Sequence, residues 1–176
     1  LGGRYDATNI ITPLVSVITN ISLEHTDILG ETEEQIAYEK AGIIKPGSVV
    51  VTSPQHEEVD RLIAETCRKR GARLVRVGRD VAWQGISHDT SRQTFRVEGR
   101  LGVYELSIPL LGPYQMENAA AAAAALEVLA EMGFNISPEG IVSGLARVEW
   151  PGRFQVLSRN PLLVVDGAHN PDSARK

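Results

Sequence analysis

A single cysteine, Cys67, stands among 176 residues. No internal disulfide is possible, which favours a reducing compartment. Cys67 sits between Thr66 and Arg68 on a charged stretch and reads as a filler rather than a nucleophile. No apolar run approaches the roughly 20 residues that a membrane span needs, and no signal peptide opens the chain. Charge of neither sign dominates: 18 Lys and Arg stand against 22 Asp and Glu, a formal net charge of -4. That balance gives no electrostatic reason for a nucleic-acid or anionic-membrane partner. Several motifs are missing as well: G-x-x-x-x-G-K-[ST], G-x-G-x-x-G, a Cys/His metal cluster and the G-x-S-x-G elbow. By itself the chain has no recognisable cradle for nucleotide phosphates. It also lacks an initiator Met and stops at Lys176 directly after a motif, which predicts a piece of a longer protein.

What is present is ordinary globular composition, with 43% hydrophobic and 23% charged residues, enough for one core or one domain plus part of another. The chain is organised around residues 25–47, HTDILGETEEQIAYEKAGIIKPG. Thr32 and, three positions later, Gln35 form a capping-box pattern that starts a helix, and Pro46-Gly47 stops it, predicting a helix over 33–44. At about 100° per residue, Ile36, Ala37, Lys40, Ala41, Ile43 and Ile44 share one apolar arc, with Gln35, Tyr38, Glu39 and Gly42 opposite. A lysine inside that arc has two readings. It is a snorkelling or paired structural residue, with Glu33 two turns earlier as a partner, or a desolvated amine whose neutral form is a nucleophile.

Taken in order, residues 1–13 (LGGRYDATNIITP) suit a loop in which Asp6, Thr8 and Asn9 bond locally to backbone. Residues 14–20, 48–53 and 73–77 read as strands, with a helix over 57–70 between the last two. This alternation predicts a mostly parallel sheet flanked by helices. His25 then falls at a strand's carboxyl end, where open α/β sheets place ligands. Segments 81–88, 94–98 and 103–108 predict an attached antiparallel meander whose solvent faces carry His88, Arg92, Arg96 and Arg100. The seven alanines of 119–125 predict a thin, central, buried helix with Gly133 as its C-cap. Gln115 and Asn118 belong to the loop that enters it. A second helix spans 138–146 behind Ser137 and Pro138. VEWPGRF (148–154) marks a domain boundary anchored by Trp150 and Phe154. Beyond it a strand over 162–165 ends in DGAHNP, which reads either as an Asp/Asn turn or as a ligand position carrying Asp166 and His169.

Four separated segments, LGGRYDATN, the ITNISLEHTDILG-to-EKAGIIKPG block, GPYQMENAAAA and WPGRF with DGAHNP, resemble the folylpolyglutamate synthase/dihydrofolate synthase family of the Mur ligase superfamily. The resemblance implies a central α/β domain over 1–147, and over 148–176 a linker and the start of a Rossmann-like C-terminal domain. It implies an ATP- and Mg²⁺-dependent cytoplasmic, monomeric ligase joining L-glutamate to a folate or dihydropteroate carboxylate through an acyl phosphate. On that resemblance His25 matches a metal-binding histidine and Lys40 the lysine that is carbamylated. Asn118 and Arg153 match nucleotide-contacting positions, with Arg153 also catalytic, while Asp166 and His169 match positions near the ribose and adenine. Tyr114 departs from the family's frequent histidine. The phosphate loop and a metal-binding glutamate would precede Leu1, so the chain alone is expected neither to hydrolyse ATP nor to ligate glutamate. The alternatives are another Mur-type ligase, or a non-catalytic α/β module that binds partners.

Overall fold

A computed structural model describes residues 3–23, 29–168 and 171–175. Three short strands, β1 (Val15–Ile18), β2 (Val49–Thr52) and β3 (Arg73–Arg76), form a parallel sheet in that order. Val17 pairs with Val51 and Val51 with Val75. All four residues of β2 are buried, as a central parallel strand covered on both faces must be. Alternation divides them: Val50 joins an apolar cluster with Ile36, Ile44, Val59 and Ile63, whereas Val49 and Val51 join the cluster on the other face.

The first face is covered by α1 (Glu33–Lys40) and α2 (Glu57–Arg70), which pack on each other. The capping box at Thr32 and Gln35 is present in both directions. The α-helix is shorter than the apolar arc predicts, because Ala41–Ile43 tighten into a 3₁₀ turn before Pro46, as the ends of helices often do. Gly42, on the polar side of the arc by periodicity, is buried instead. A Cβ there would lie 2.7 Å from Arg4 Cα and 2.9 Å from Arg4 N, so the N-terminal segment packs directly on it.

The second face receives α3 (Pro113–Glu131), which touches β1 and β2 on one side and the antiparallel sheet on the other. That sheet is β4 (Ala82–His88), β5 (Gln93–Glu98) and β6 (Val103–Ile108), in chain order. Ala119, Ala120, Ala121, Ala123 and Ala124 are buried between the two sheets. Methyl side chains let a helix lie close to both, as predicted. Gln115 and Asn118 lie inside the first turns of α3 rather than in the loop before it, since Pro113 at the first helical position starts the helix early.

One polar residue pins this layer. Glu127, 1% exposed, accepts hydrogen bonds from the amides of Arg100 (2.8 Å) and Leu101 (3.0 Å) and from the Tyr104 hydroxyl (2.7 Å). A Cβ on Gly99 would collide with Glu127 Oε1, so a larger residue there would have to displace the carboxylate. Burial first, and the Glu127 carboxylate second, push the Tyr104 phenol above its ordinary range.

The meander's basic residues are more than solvated charge. Arg92 donates to Ser107 Oγ (3.0 Å), Ser107 O (2.9 Å) and Ala146 O (3.0 Å), tying the turn before β5 to β6 and to the end of α4 (Pro138–Ala146). Arg100 pairs with Glu131 at 3.2 Å. After α4, a hairpin of β7 (Gln155–Arg159) and β8 (Leu162–Val165) is followed by the short α5 (Pro171–Arg175). No helix among the described residues is long and apolar enough to cross a membrane.

Candidate functional site

Where α3 begins, the end of β1 and the 148–153 segment enclose a cleft of about 550 Å³, within the usual range for small-molecule sites. Val17, Ile108, Leu110, Ala122 and Leu145 give it apolar walls. Its polar groups include Tyr114, Gln115, Asn118, Trp150, Arg153 and Asp166, with Thr19 and Ser173 also on the lining. Three residues assigned from sequence, Asn118, Arg153 and Asp166, thus meet in one place although they lie on a helix, a linker and a loop. The remaining candidates are elsewhere. Lys40 is on α1, across the parallel sheet, and His25 and His169 lie outside the described residues.

Named partners position the Gln115, Asn118 and Asp166 side chains. Gln115 is 6% exposed and accepts from Asn118 Nδ2 at 3.1 Å, which fixes the Asn118 amide one turn along the helix. The helix start is itself held: buried Gln93 donates to Leu110 O (2.6 Å) and Gly112 O (2.8 Å). Burial raises the Tyr114 phenol, Asp166 raises it further and Arg153 opposes them. Tyr114 therefore stays neutral at neutral pH and offers a hydroxyl. Both Asp166 oxygens accept backbone amides, Oδ2 from Phe154 at 2.6 Å and Oδ1 from Ala168 at 2.7 Å. One exposed guanidinium, two amides and a hydroxyl around apolar walls suit a flat ligand with polar edges and an anionic extension. Sequence reasoning gave Gln115 only a capping role and Trp150 only an anchoring one, because lining a shared cleft leaves no local pattern.

The second locus surrounds Lys40. It is the last residue of α1, half-buried rather than fully enclosed. Glu33, its candidate partner, places Oε2 2.5 Å from Nδ1 of His56. The N-terminal glycine segment lies against the Lys40 backbone: Arg4 N donates to Glu39 O at 2.8 Å, and a Cβ on Gly3 would stand 3.0 Å from Lys40 N. Asp6 does bond locally, taking the Thr8 amide at 2.9 Å. Asn9 reaches further. Lys45 Nζ donates to Asn9 O (2.7 Å) and Asn9 Oδ1 (2.8 Å), while Asn9 Nδ2 donates to Arg4 O (3.1 Å). Arg4 also stacks over Tyr38, 4.4 Å from the ring centre, at cation–π distance. Among the described residues no group of three or more His, Cys, Asp or Glu side chains is placed to hold a metal.

Residues 2–126 match the family model described as the Mur ligase middle domain. The folylpolyglutamate synthase of Lacticaseibacillus casei is 39% identical over 174 residues, 98% of this chain and 41% of that protein. The dihydrofolate synthase/folylpolyglutamate synthase of Bacillus subtilis is 35% identical, over 100% of this chain and 41% of that protein. A solved FPGS-AMPPCP-folate complex superimposes with a TM-score of 0.95 at 39% identity, covering 99% of this chain and 43% of that one. The Mycobacterium tuberculosis folylpolyglutamate synthase complexed with ADP and AMPPCP gives 0.89 at 34% identity, over 99% of this chain and 40% of that one. The chain thus spans about two fifths of the length of the curated relatives it matches. Its mixed sheets, its central helix and its match over most of its length agree: the chain belongs to the Mur ligase family, whose middle domain it carries.

Proposed function

We propose that the full-length protein bearing this chain is an ATP-dependent ligase that joins L-glutamate to a folate or dihydropteroate carboxylate. The observation that carries this reading is the convergence of Asn118, Arg153 and Asp166 on one apolar-walled cleft. Solved relatives with ATP analogues, one of them also with folate, support it. In this reading the adenosine lies in the cleft, with Asn118 and Arg153 in contact and Asp166 at the rim, and His169 belongs to the same region. Residues 1–147 form the central domain, and 148–176 the linker and the start of the C-terminal domain. The protein works in the cytoplasm as a monomer.

The chemistry proceeds in two displacements. A substrate carboxylate oxygen attacks the γ-phosphorus, forming a P–O bond as ADP leaves. The glutamate amine then attacks the acyl carbon; a C–N bond forms, the C–O pair departs with phosphate and the ammonium proton is lost. Arg153 supplies a fixed fork of donors for the charge spread over the phosphoryl oxygens. Lys40 Nζ, once neutral, adds carbon dioxide with loss of a proton to give a carbamate, a carboxylate equivalent held on a rigid helix end. Mg²⁺ enters this proposal through His25, and when bound it would neutralise phosphate charge.

The test is assay of the full-length protein with ATP, L-glutamate and, separately, dihydropteroate and reduced folate, reading ADP and the new amide. Amide formation with either pterin is the expected result. ADP release that needs another carboxylate substrate would instead favour a different Mur-type ligase, and absence of nucleotide binding would favour the non-catalytic module. Lys40→Ala should abolish ligation, and added acetate should restore part of it. The chain of 176 residues alone should release no phosphate from ATP.

A further inference from the structure

The last turn of α1 is capped from outside the helix. Arg4 N donates to Glu39 O at 2.8 Å, one of the carbonyls that a helix end leaves for outside partners. Gly3 makes the approach possible: its φ is 86°, and a Cβ there would stand 2.5 Å from Glu39 O and 3.0 Å from Lys40 N. On the other side Gly42 keeps the 3₁₀ turn clear of Arg4, where a Cβ would meet the Arg4 backbone. A relay holds the segment down. Lys45 Nζ donates to Asn9 O at 2.7 Å and to Asn9 Oδ1 at 2.8 Å, and Asn9 Nδ2 donates in turn to Arg4 O at 3.1 Å and to Gly42 O at 3.4 Å. Lys45 and Asn9 are both half-buried. The relay thus runs from the turn after α1, through Asn9, back to the residue whose amide caps the helix one position before Lys40.

We infer that Lys45 and Asn9 are positioning residues for Lys40: through Arg4 they fix the backbone of the last turn of α1, and with it the point from which the Lys40 amine projects. The inference rests on Lys40 being the lysine that forms a carbamate. In that step the neutral Nζ forms an N–C bond to carbon dioxide and one of its protons passes to solvent; the relay itself makes and breaks no covalent bond. Its chemistry is specific to an amide. Asn9 accepts from Lys45 and donates to Arg4 O, whereas aspartate only accepts and would keep the lysine while releasing Arg4.

The experiment uses the full-length protein with ¹³C-labelled bicarbonate and reads lysine carbamate by ¹³C NMR beside the kinetics of ligation, with Lys40→Ala identifying the signal by its loss. Lys45→Met and Asn9→Asp should each raise the bicarbonate needed for half occupancy about fivefold, as expected for the loss of one or two hydrogen bonds, and lower kcat with it. The two substitutions together should be within about twofold of either alone, the non-additivity expected of a single relay. In the Lys40→Ala protein rescued by acetate, Lys45→Met should change kcat by less than about twofold. The inference is overturned if either variant keeps wild-type occupancy, even with a lowered thermal midpoint, if the two effects multiply, or if the full kcat loss persists in the rescued protein. A wild type with no carbamate signal that Lys40→Ala removes would sink the carbamate reading instead. Hydrogen exchange at the Arg4 amide would then still decide the relay: it should quicken about fivefold in Lys45→Met and in Asn9→Asp, and unchanged exchange would overturn it.

Discussion

The helices α1 and α3 flank the same parallel sheet and are fixed by opposite physics. α3 is held by closeness: five buried alanines leave no side chain long enough to separate it from the sheets on either side. α1 is short, and its last residue, Lys40, lies under a polar lacework of Arg4, Asn9 and Lys45 drawn from the N-terminal segment and from the turn after the helix. Close packing fixes an axis along its whole length, which suits a cleft built from several turns of one helix. Directed hydrogen bonds fix one point, which suits a single amine.

The contrast can be broken most severely on the α3 side. Ala120→Leu, at a position with no exposure, should cost about 3 kcal/mol, because overpacking between two sheets forces the backbone to move. Urea unfolding would measure it, and a loss under about 0.5 kcal/mol would mean that the layer is not closely packed. Glu127→Ala should cost about 2 kcal/mol by leaving two amides and a phenol without their acceptor, read in the same way. On the α1 side, Lys45→Met should cost only about 1 kcal/mol of stability, yet lower ligation by the full-length protein several-fold, since it frees the segment that rests on Lys40. Equal losses in stability for Lys45→Met and Ala120→Leu would erase the distinction. The smallest effect is confined to alkaline pH. Because the native Tyr104 phenol is raised, the folded state keeps its proton when the unfolded chain has lost it; this stability is present below about pH 10 and declines as pH rises further. Tyr104→Phe should flatten that decline in an unfolding titration.

Local chemistry made much of the fold legible. The capping box at Thr32 and Gln35, the β-branched runs that became β1 and β2, and the bulk-free helix of 119–125 were readable because each is fixed by residues a few positions apart. The convergence of Asn118, Arg153 and Asp166 was legible only through resemblance to a family, since nothing local to any of the three announces the others. What stayed hidden depends on distant partners. Gly42 looks polar-facing until Arg4 packs on it. Arg92 looks like solvated charge until Ala146 presents its carbonyl. Strand β7 is invisible in sequence because QVLSR has no apolar alternation, and only its pairing with β8 makes it a strand. The 3₁₀ turn at Ala7–Ile10 is likewise hidden inside a loop, held by Asp6 and not by periodicity.

The alanine run also sets how this helix can vary. At Ala120, Ala121, Ala123 and Ala124 a larger residue collides with a sheet, while glycine costs about 1 kcal/mol in helix propensity. Alanine there sits between two penalties, and a saturation scan should show near-intolerance in both directions. Ala122 is different: it is half-buried and turned toward the cleft. Change in the run is therefore best tolerated at the half-buried Ala122 and Ala125, and at Ala122, which lines the cleft, a serine or valine would reshape what the cleft admits.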